Sequence, residues 1–122
     1  MSTAIAKTLA LFLGKPGDKV TLKTKPDANI TTYVVFVIQR MPDNSKVPVT
    51  TFFSDMLESA DGASFELAAG AKGYNLVLQA DVTADAKLQA EVDFNGASAF
   101  NKPVDLPESL GPVLTYRWAI VM

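Results

Sequence analysis

The stretch TTYVVFVIQR, residues 31–40, contains six consecutive apolar side chains, from Tyr33 to Ile38, between polar residues. Side chains alternate between the two faces of a β-strand, so this run predicts a strand that is buried on both faces. In a fold of two layers one face packs into the core, and the other needs a separate cover. The sequence leaves three covers open: a short helix near 55–60, the segment 101–112 folded back, or a second copy of the chain.

Most of the remaining chain alternates apolar and polar residues in short segments. The clearest are DKVTLKTK (18–25), YNLVLQADV (74–82), AKLQAEVDF (86–94) and TYRWAIV (115–121). Strict alternation is typical of strands with one wet face, and turns rich in Gly, Pro, Asn and Asp separate the segments. The pattern predicts an all-β fold of a single domain, 1–122. We expect an antiparallel β-sandwich of about eight strands, immunoglobulin-like or jelly-roll-like.

Two segments depart from this regular pattern. The residues SDMLESADG at 54–62 predict at most one short helix near 55–60, with Asp55 as its cap and Glu58 three residues on. Residues 4–13 fit a strand or a helix equally well, and the sequence does not decide between them.

The residues GAKGYNLVL (70–78) place Tyr74 at the start of a strand, directly after a glycine-bearing turn. This arrangement resembles the tyrosine corner of immunoglobulin-like sandwiches. The resemblance covers only these residues, and it implies a fold and no function.

The composition excludes much chemistry. Cysteine and histidine are both absent, so a disulfide, a thiol nucleophile, a Ser-His-Asp triad and the usual zinc and haem ligand sets cannot form. The net charge of −2 gives no reason to expect nucleic acid as a partner. No segment is long and apolar enough for a membrane span, and no cofactor motif or metal site is present. The start has no recognisable signal peptide, so we expect a cytoplasmic location or leave the compartment open.

Acidic residues cluster in DVTADAKLQAEVD, residues 81–93. We read this stretch as a tight hairpin that brings Asp81, Asp85, Glu91 and Asp93 to one polar face. Paired carboxylates of this kind can hydrolyse glycosidic bonds or hold calcium. A solvated strand face is the more ordinary interpretation, and we expect the protein not to be an enzyme.

Lysine is concentrated near the start, where residues 1–25 hold five lysines and one aspartate. If 18–25 is an edge strand, its lysines form a ridge that could bind an anionic polymer. Lysine on an edge strand also discourages aggregation, which is the simpler explanation. The candidate anion-binding residues are Lys15, Lys19, Lys23 and Lys25.

Both faces of the 33–38 strand are apolar, and an uncovered apolar patch marks an interface. The functional expectation follows from this strand. We expect a non-catalytic protein that acts through protein–protein contact, as a homo-oligomer or assembly subunit. The alternative is a ligand-binding module for an anionic polymer or a small hydrophobic molecule. Trp118 is expected in the core and Phe100 is a candidate for exposure. The candidate interface residues are Tyr33, Val34, Val35, Phe36, Val37, Ile38, Phe52, Phe53 and Val121.

Overall fold

A computed structural model describes residues 7–107 and 114–122 of the chain. These residues form nine strands and one helix of a single turn, α1, at Ser54–Leu57. The strands are β1 (Lys7–Leu13), β2 (Lys19–Pro26), β3 (Ile30–Arg40), β4 (Lys46–Phe53), β5 (Ala63–Glu66), β6 (Gly73–Val82), β7 (Ala86–Phe94), β8 (Ala97–Leu106) and β9 (Leu114–Val121).

The strands form two sheets that pack as a sandwich. The five-stranded sheet has the order β1-β9-β6-β3-β4, and the four-stranded sheet has the order β5-β2-β7-β8. All neighbouring strands are antiparallel except β1 and β9, which are parallel. The predicted all-β sandwich is confirmed, with nine strands where about eight were expected. The ambiguous N-terminal segment is a strand from Lys7, and residues 4–6 lie outside the described residues.

The core lies between the sheets and is built from alternate residues of each strand. Trp118 is fully buried, as expected from its place among alternating residues on β9. Its ring meets the ring of Phe100 edge-on, with 5.8 Å between the ring centroids. Phe100 is therefore a core residue of β8, and the expectation that it is exposed was wrong.

Tyr74 begins β6 and closes a turn as the sequence suggested. Its hydroxyl accepts a hydrogen bond from the peptide N–H of Ala68. The strand order extends the likeness, because β6 lies between β3 and β9 as strand F lies between C and G in immunoglobulin-like sandwiches. Likewise β5 pairs with β2 as strand E pairs with B. The difference is the β7–β8 hairpin, which is inserted between β6 and β9 and extends the opposite sheet.

The segment 101–106, part of the predicted loop 101–112 that was a possible cover for the second face, completes β8 instead. Pro103 favours a turn in the sequence, which is why a strand was not expected here. A proline cannot donate to a sheet ladder, but an edge strand such as β8 tolerates one on its open side. Residues 108–112 of the same predicted loop lie outside the described residues.

The helix α1 is shorter than expected, and neither Asp55 nor Glu58 caps it as predicted. Its N-cap is Phe53, without a side-chain capping bond, and Asp55 lies inside the helical turn. Glu58 follows the helix and accepts a hydrogen bond of 2.8 Å from the hydroxyl of Tyr33. Leu57 is buried in the core, so α1 closes the space between the sheets.

Candidate interface on the five-stranded sheet

The outward side of the five-stranded sheet carries a band of apolar side chains. The register aligns its outward residues in rows that cross the sheet from β4 to β1. We call the set of apolar side chains on these rows the apolar face. It comprises Phe53 of β4, Val34, Phe36 and Ile38 of β3, Val77 of β6, Ala119 and Val121 of β9, and Leu11 and Leu13 of β1.

The apolar face forms a diagonal band. Phe53 pairs with Val34 at one end of the band, and Val121 pairs with Leu13 at the other. The ends are the most exposed, since Phe53 is 56%, Leu11 66% and Leu13 84% exposed. Isolated exposed hydrophobic residues are ordinary, whereas a band that crosses five strands is the kind of patch that marks an interface.

Four of the predicted interface residues lie on the opposite side of the sheet. Tyr33, Val35, Val37 and Phe52 point into the sandwich and are buried. They were included because the apolar run did not reveal which alternate set faces inward. Their burial removes them from any interface and leaves Val34, Phe36, Ile38, Phe53 and Val121 of the predicted set on the outward side.

The short helix and the first part of the segment 101–112, both proposed as covers for the second face, are now assigned elsewhere in the fold, and residues 108–112 lie outside the described residues. The helix α1 buries Leu57 in the core between the sheets. The segment 101–106 belongs to β8, which is in the opposite sheet. Among residues 7–107 and 114–122, no element packs over the apolar face, and Phe36 and Ile38 at its centre remain partly exposed.

The corners of the sheet beside the band are polar and basic. In one corner the guanidinium of Arg117 donates a hydrogen bond of 2.8 Å to the hydroxyl of Thr8. In the other, Arg40 pairs with Lys46 across β3 and β4. The Arg40 guanidinium lies over Gly73 and donates a bond of 3.2 Å to the carbonyl of Ile120. The charged groups beside the band are therefore mainly cations, with the carboxylate of Asp81 on the side of Arg117, one row beyond Val34 and Gln79.

One polar residue interrupts the middle of the band. Asn75 of β6 lies in the row between Ile38 and Ala119, and only 6% of its surface is exposed. Its side-chain oxygen has no hydrogen-bond partner in the described part of the chain. A small groove of about 220 Å³ lies nearby between β3 and β4, beside Phe36, Ile38 and the bulge at Val49.

Sequence reasoning missed Leu11 and Leu13, which are the most exposed members of the apolar face. The segment that contains them was ambiguous between helix and strand, so its outward residues were undefined. The pairing of β1 with β9 settles their direction, since Leu11 pairs with Ala119 and Leu13 with Val121. Leu11 and Leu13 flank Phe12, which packs against the core, so their spacing of two was the available signal.

The outward side of the four-stranded sheet has the opposite character. It alternates lysines with carboxylates and amides: Lys19 pairs with Glu66, Lys23 with Glu91 and Lys25 with Gln89. The condition for a lysine ridge, an edge position for 18–25, is not met, because β2 lies between β5 and β7. Lys15 lies in the turn before β2. The predicted ridge of lysines is thus interleaved with acidic neighbours.

The predicted acidic hairpin does not form. β6 and β7 are consecutive but belong to different sheets, so the turn at 83–85 crosses from one layer to the other. Asp81 lies near the end of β6 in the five-stranded sheet, whereas Glu91 and Asp93 lie on the outward side of the four-stranded sheet. The described residues contain no acidic cluster suited to a metal ion.

Comparison with known proteins adds no functional information. No family model matches this sequence, and neither a curated protein nor a solved structure matches it. Within the residues that the structure describes, no helix is long and apolar enough to cross a membrane. The function is therefore inferred from the two outer faces of the sandwich.

Proposed function

We propose that the protein acts without catalysis, through protein–protein contact, and that the apolar face binds a second copy of the chain. The observation that carries the proposal is the contrast between the two outer faces. One is a charged and polar strand surface. The other presents an apolar band across five strands, with Leu11, Leu13 and Phe53 largely exposed.

The size of the face suits an interface between two folded chains. Five strands spaced about 4.8 Å apart and four rows of outward residues give a footprint of about 24 by 20 Å. The side chains that protrude from it expose more area than this projection. A stable interface buries about 800 Å² on each partner, so the whole outward side of the sheet, the band together with its polar corners, supplies an area of that order.

The hydrophobic contribution would come from the centre of the band. Phe36 and Ile38 lie between Val77 on one side and the groove toward β4 on the other. Aromatic residues near the centre of an interface contribute most to binding, and Phe36 is the aromatic residue in this position. Phe53 and Leu13 extend the contact toward the two ends of the band.

The charges around the band give the proposed dimer a distinctive salt dependence. A two-fold axis that places one band on another brings the basic corners of the two copies together. Arg117, Arg40 and Lys46 outnumber Asp81 beside the band, so added salt screens a net repulsion and should strengthen self-association. A heterologous partner with an acidic rim would show the reverse, because salt would screen an attraction.

The test is the native molar mass of the chain by light scattering, over a hundredfold range of concentration and at two salt concentrations. We expect the mass to rise from 13.1 kDa toward twice that value, and to rise further at high salt. Phe36→Glu should weaken dimerisation at least about 30-fold, which corresponds to about 2 kcal/mol, because a carboxylate would be buried at the contact.

The matched control is Gln89→Glu, which adds the same charge to the exposed side of the four-stranded sheet. It should dimerise like the unaltered protein. Both variants should keep the unaltered circular dichroism spectrum, since neither side chain points into the core. A monomer throughout the concentration range, or equal dimerisation of both variants, would overturn the proposal.

A further inference from the structure

A cavity of about 470 Å³ opens where the margins of the two sheets approach each other, away from the centre of the apolar face. Its walls come from the start of β1 and from β9 in one sheet, and from β7 and β8 in the other. Small-molecule sites in proteins commonly enclose about 300–1,000 Å³, so this cavity is large enough for a ligand.

The bottom of the cavity is apolar. Ala86, Leu106 and Tyr116 line it and are themselves buried, and Pro107 adds a further apolar wall. These side chains favour a hydrocarbon or an aromatic ring over a wholly polar ligand.

Charged groups surround the mouth of the cavity, and they differ in whether another group of the protein already pairs with them. Lys87 and Asp105 form an ion pair, with 3.7 Å between the ammonium nitrogen and the carboxylate oxygen. Asp85 also lines the cavity and is engaged within the protein. Lys7 also lines it, and within residues 7–107 and 114–122 its ammonium group forms no ion pair.

The hydroxyl of Tyr116 supplies a neutral hydrogen-bond donor. Burial raises the pKa of Tyr116 above its ordinary value, and the negative charge of Asp105 raises it further. A phenol that stays protonated can donate to an acceptor on the ligand but cannot repel an anion. Beside Asp85 and the Lys87–Asp105 pair, the cavity thus offers a ligand the ammonium group of Lys7 and the hydroxyl of Tyr116.

We propose that this cavity binds a small amphiphilic carboxylic acid, with its apolar body on Leu106, Ala86 and the Tyr116 ring and its carboxylate toward Lys7. The ammonium and the hydroxyl match the two oxygens of a carboxylate, and the apolar bottom matches the chain or ring behind it. This binding is independent of the proposed contact through the apolar face.

Three probes of one chain length test the charge that the cavity selects: octanoate, octanol and octylamine. Each is titrated into the full chain and followed by amide chemical shifts. We expect octanoate to bind saturably, at least about 10-fold more tightly than octanol, because a hydrogen bond between charged groups contributes more than one to a neutral hydroxyl. The amides of Ala86, Leu106 and Tyr116 should shift most.

Two variants assign the binding to the cavity. Lys7→Gln should reduce octanoate affinity to that of octanol and leave octanol unchanged, whereas Lys25→Gln, the control, should change neither. Ala86→Leu should occupy the cavity and reduce the affinity for both probes by more than 10-fold. The site mapped by chemical shifts does not depend on whether this second variant folds.

Four outcomes would overturn the inference. These are no saturable octanoate binding, octylamine binding as tight as octanoate, full octanoate affinity in Lys7→Gln, and shifts at Leu11 or Phe36 in place of the cavity residues. The last result would place the probe on the apolar face.

Discussion

The hydroxyl of Tyr74 accepts a hydrogen bond of 2.8 Å from the peptide N–H of Ala68, six residues earlier in the chain. Tyr74 is itself almost fully buried, and its ring packs against the ring of Phe65 with 5.5 Å between the centroids. This bond fixes the turn that carries the chain from the four-stranded sheet to the five-stranded sheet.

Tyr74→Phe removes this bond and keeps the ring packing. We expect the free energy of unfolding to fall by about 1–1.5 kcal/mol, the usual contribution of a partly buried hydrogen bond. Urea unfolding measures the change. Tyr116→Phe is the control, because in the described residues the Tyr116 hydroxyl has no hydrogen bond. It should cost less than about 0.5 kcal/mol, and an equal loss in both variants would contradict a specific role for the corner.

Tyr33 joins three elements through its hydroxyl. It donates to the carboxylate of Glu58 at 2.8 Å, so the hydroxyl of Thr24, 2.7 Å away, is assigned as the donor to Tyr33. Burial raises the pKa of Tyr33 well above its ordinary value; the Thr24 bond lowers it, and the bond and charge of Glu58 raise it. The folded state therefore holds the phenol neutral at a pH where the unfolded chain ionises.

This shift predicts a loss of stability in alkali. The pKa of Tyr33 in the folded protein is above the unfolded value of about 10. Its contribution to the free energy of unfolding is therefore complete below pH 10 and declines as the pH rises above 10. The slope should approach 1.4 kcal/mol per pH unit for this one proton. Urea unfolding between pH 8 and 12 measures the slope. In Tyr33→Phe the slope should be smaller by the share that this proton contributes. An unchanged slope in that variant would show that other tyrosines cause the loss of stability in alkali.

The sequence predicted the layers of this fold better than their connections. Alternation identified the strands correctly because burial on one face imposes a period of two, as at Val20 and Leu22 of β2. It could not show whether neighbouring strands pair with each other. The tight turn between Asp81 and Glu91 suggested a hairpin, but in the structure that turn passes between the sheets.

The apolar face was predicted only in part, for a related reason. A run of six apolar residues shows that both faces of β3 are apolar, yet it does not say which alternate set is inside. The burial of the pair Val35 and Phe52, against the exposure of Phe53 opposite Val34, resolves this point. The contribution of Leu11 and Leu13 depends on the parallel pairing of β1 with β9, which is a long-range contact that no local pattern encodes.

Gly73 is required where the guanidinium of Arg40 crosses β6. A Cβ atom at this position would collide with the carbonyl oxygen of Ile120 and with the Arg40 side chain. We expect Gly73→Ala to cost about 1–3 kcal/mol, as overpacking does elsewhere, measured by urea unfolding. The double variant with Arg40→Ala should recover only part of this loss, since the clash with the carbonyl remains. Full recovery would show that the backbone accommodates the methyl group.

The lysines of β2 give the last prediction, which concerns the alternative function of binding an anionic polymer. Lys23 pairs with Glu91 and Lys19 with Glu66, so an approaching polyanion meets both signs of charge on this side of the sheet. We expect retention on heparin at low salt to be weak. The triple variant of Lys19, Lys23 and Lys25 to Ser should shift the eluting salt concentration little, because weak binding of this kind releases few counterions.

The matched control for that experiment is Glu66→Gln with Glu91→Gln. It removes the acidic neighbours and leaves the lysines in place, so it should increase retention if the carboxylates are what prevents binding. Strong retention of the unaltered protein that is lost in the lysine variant would contradict the prediction. That result would make the four-stranded sheet a binding surface for anionic polymers, alongside the proposed interface on the other sheet.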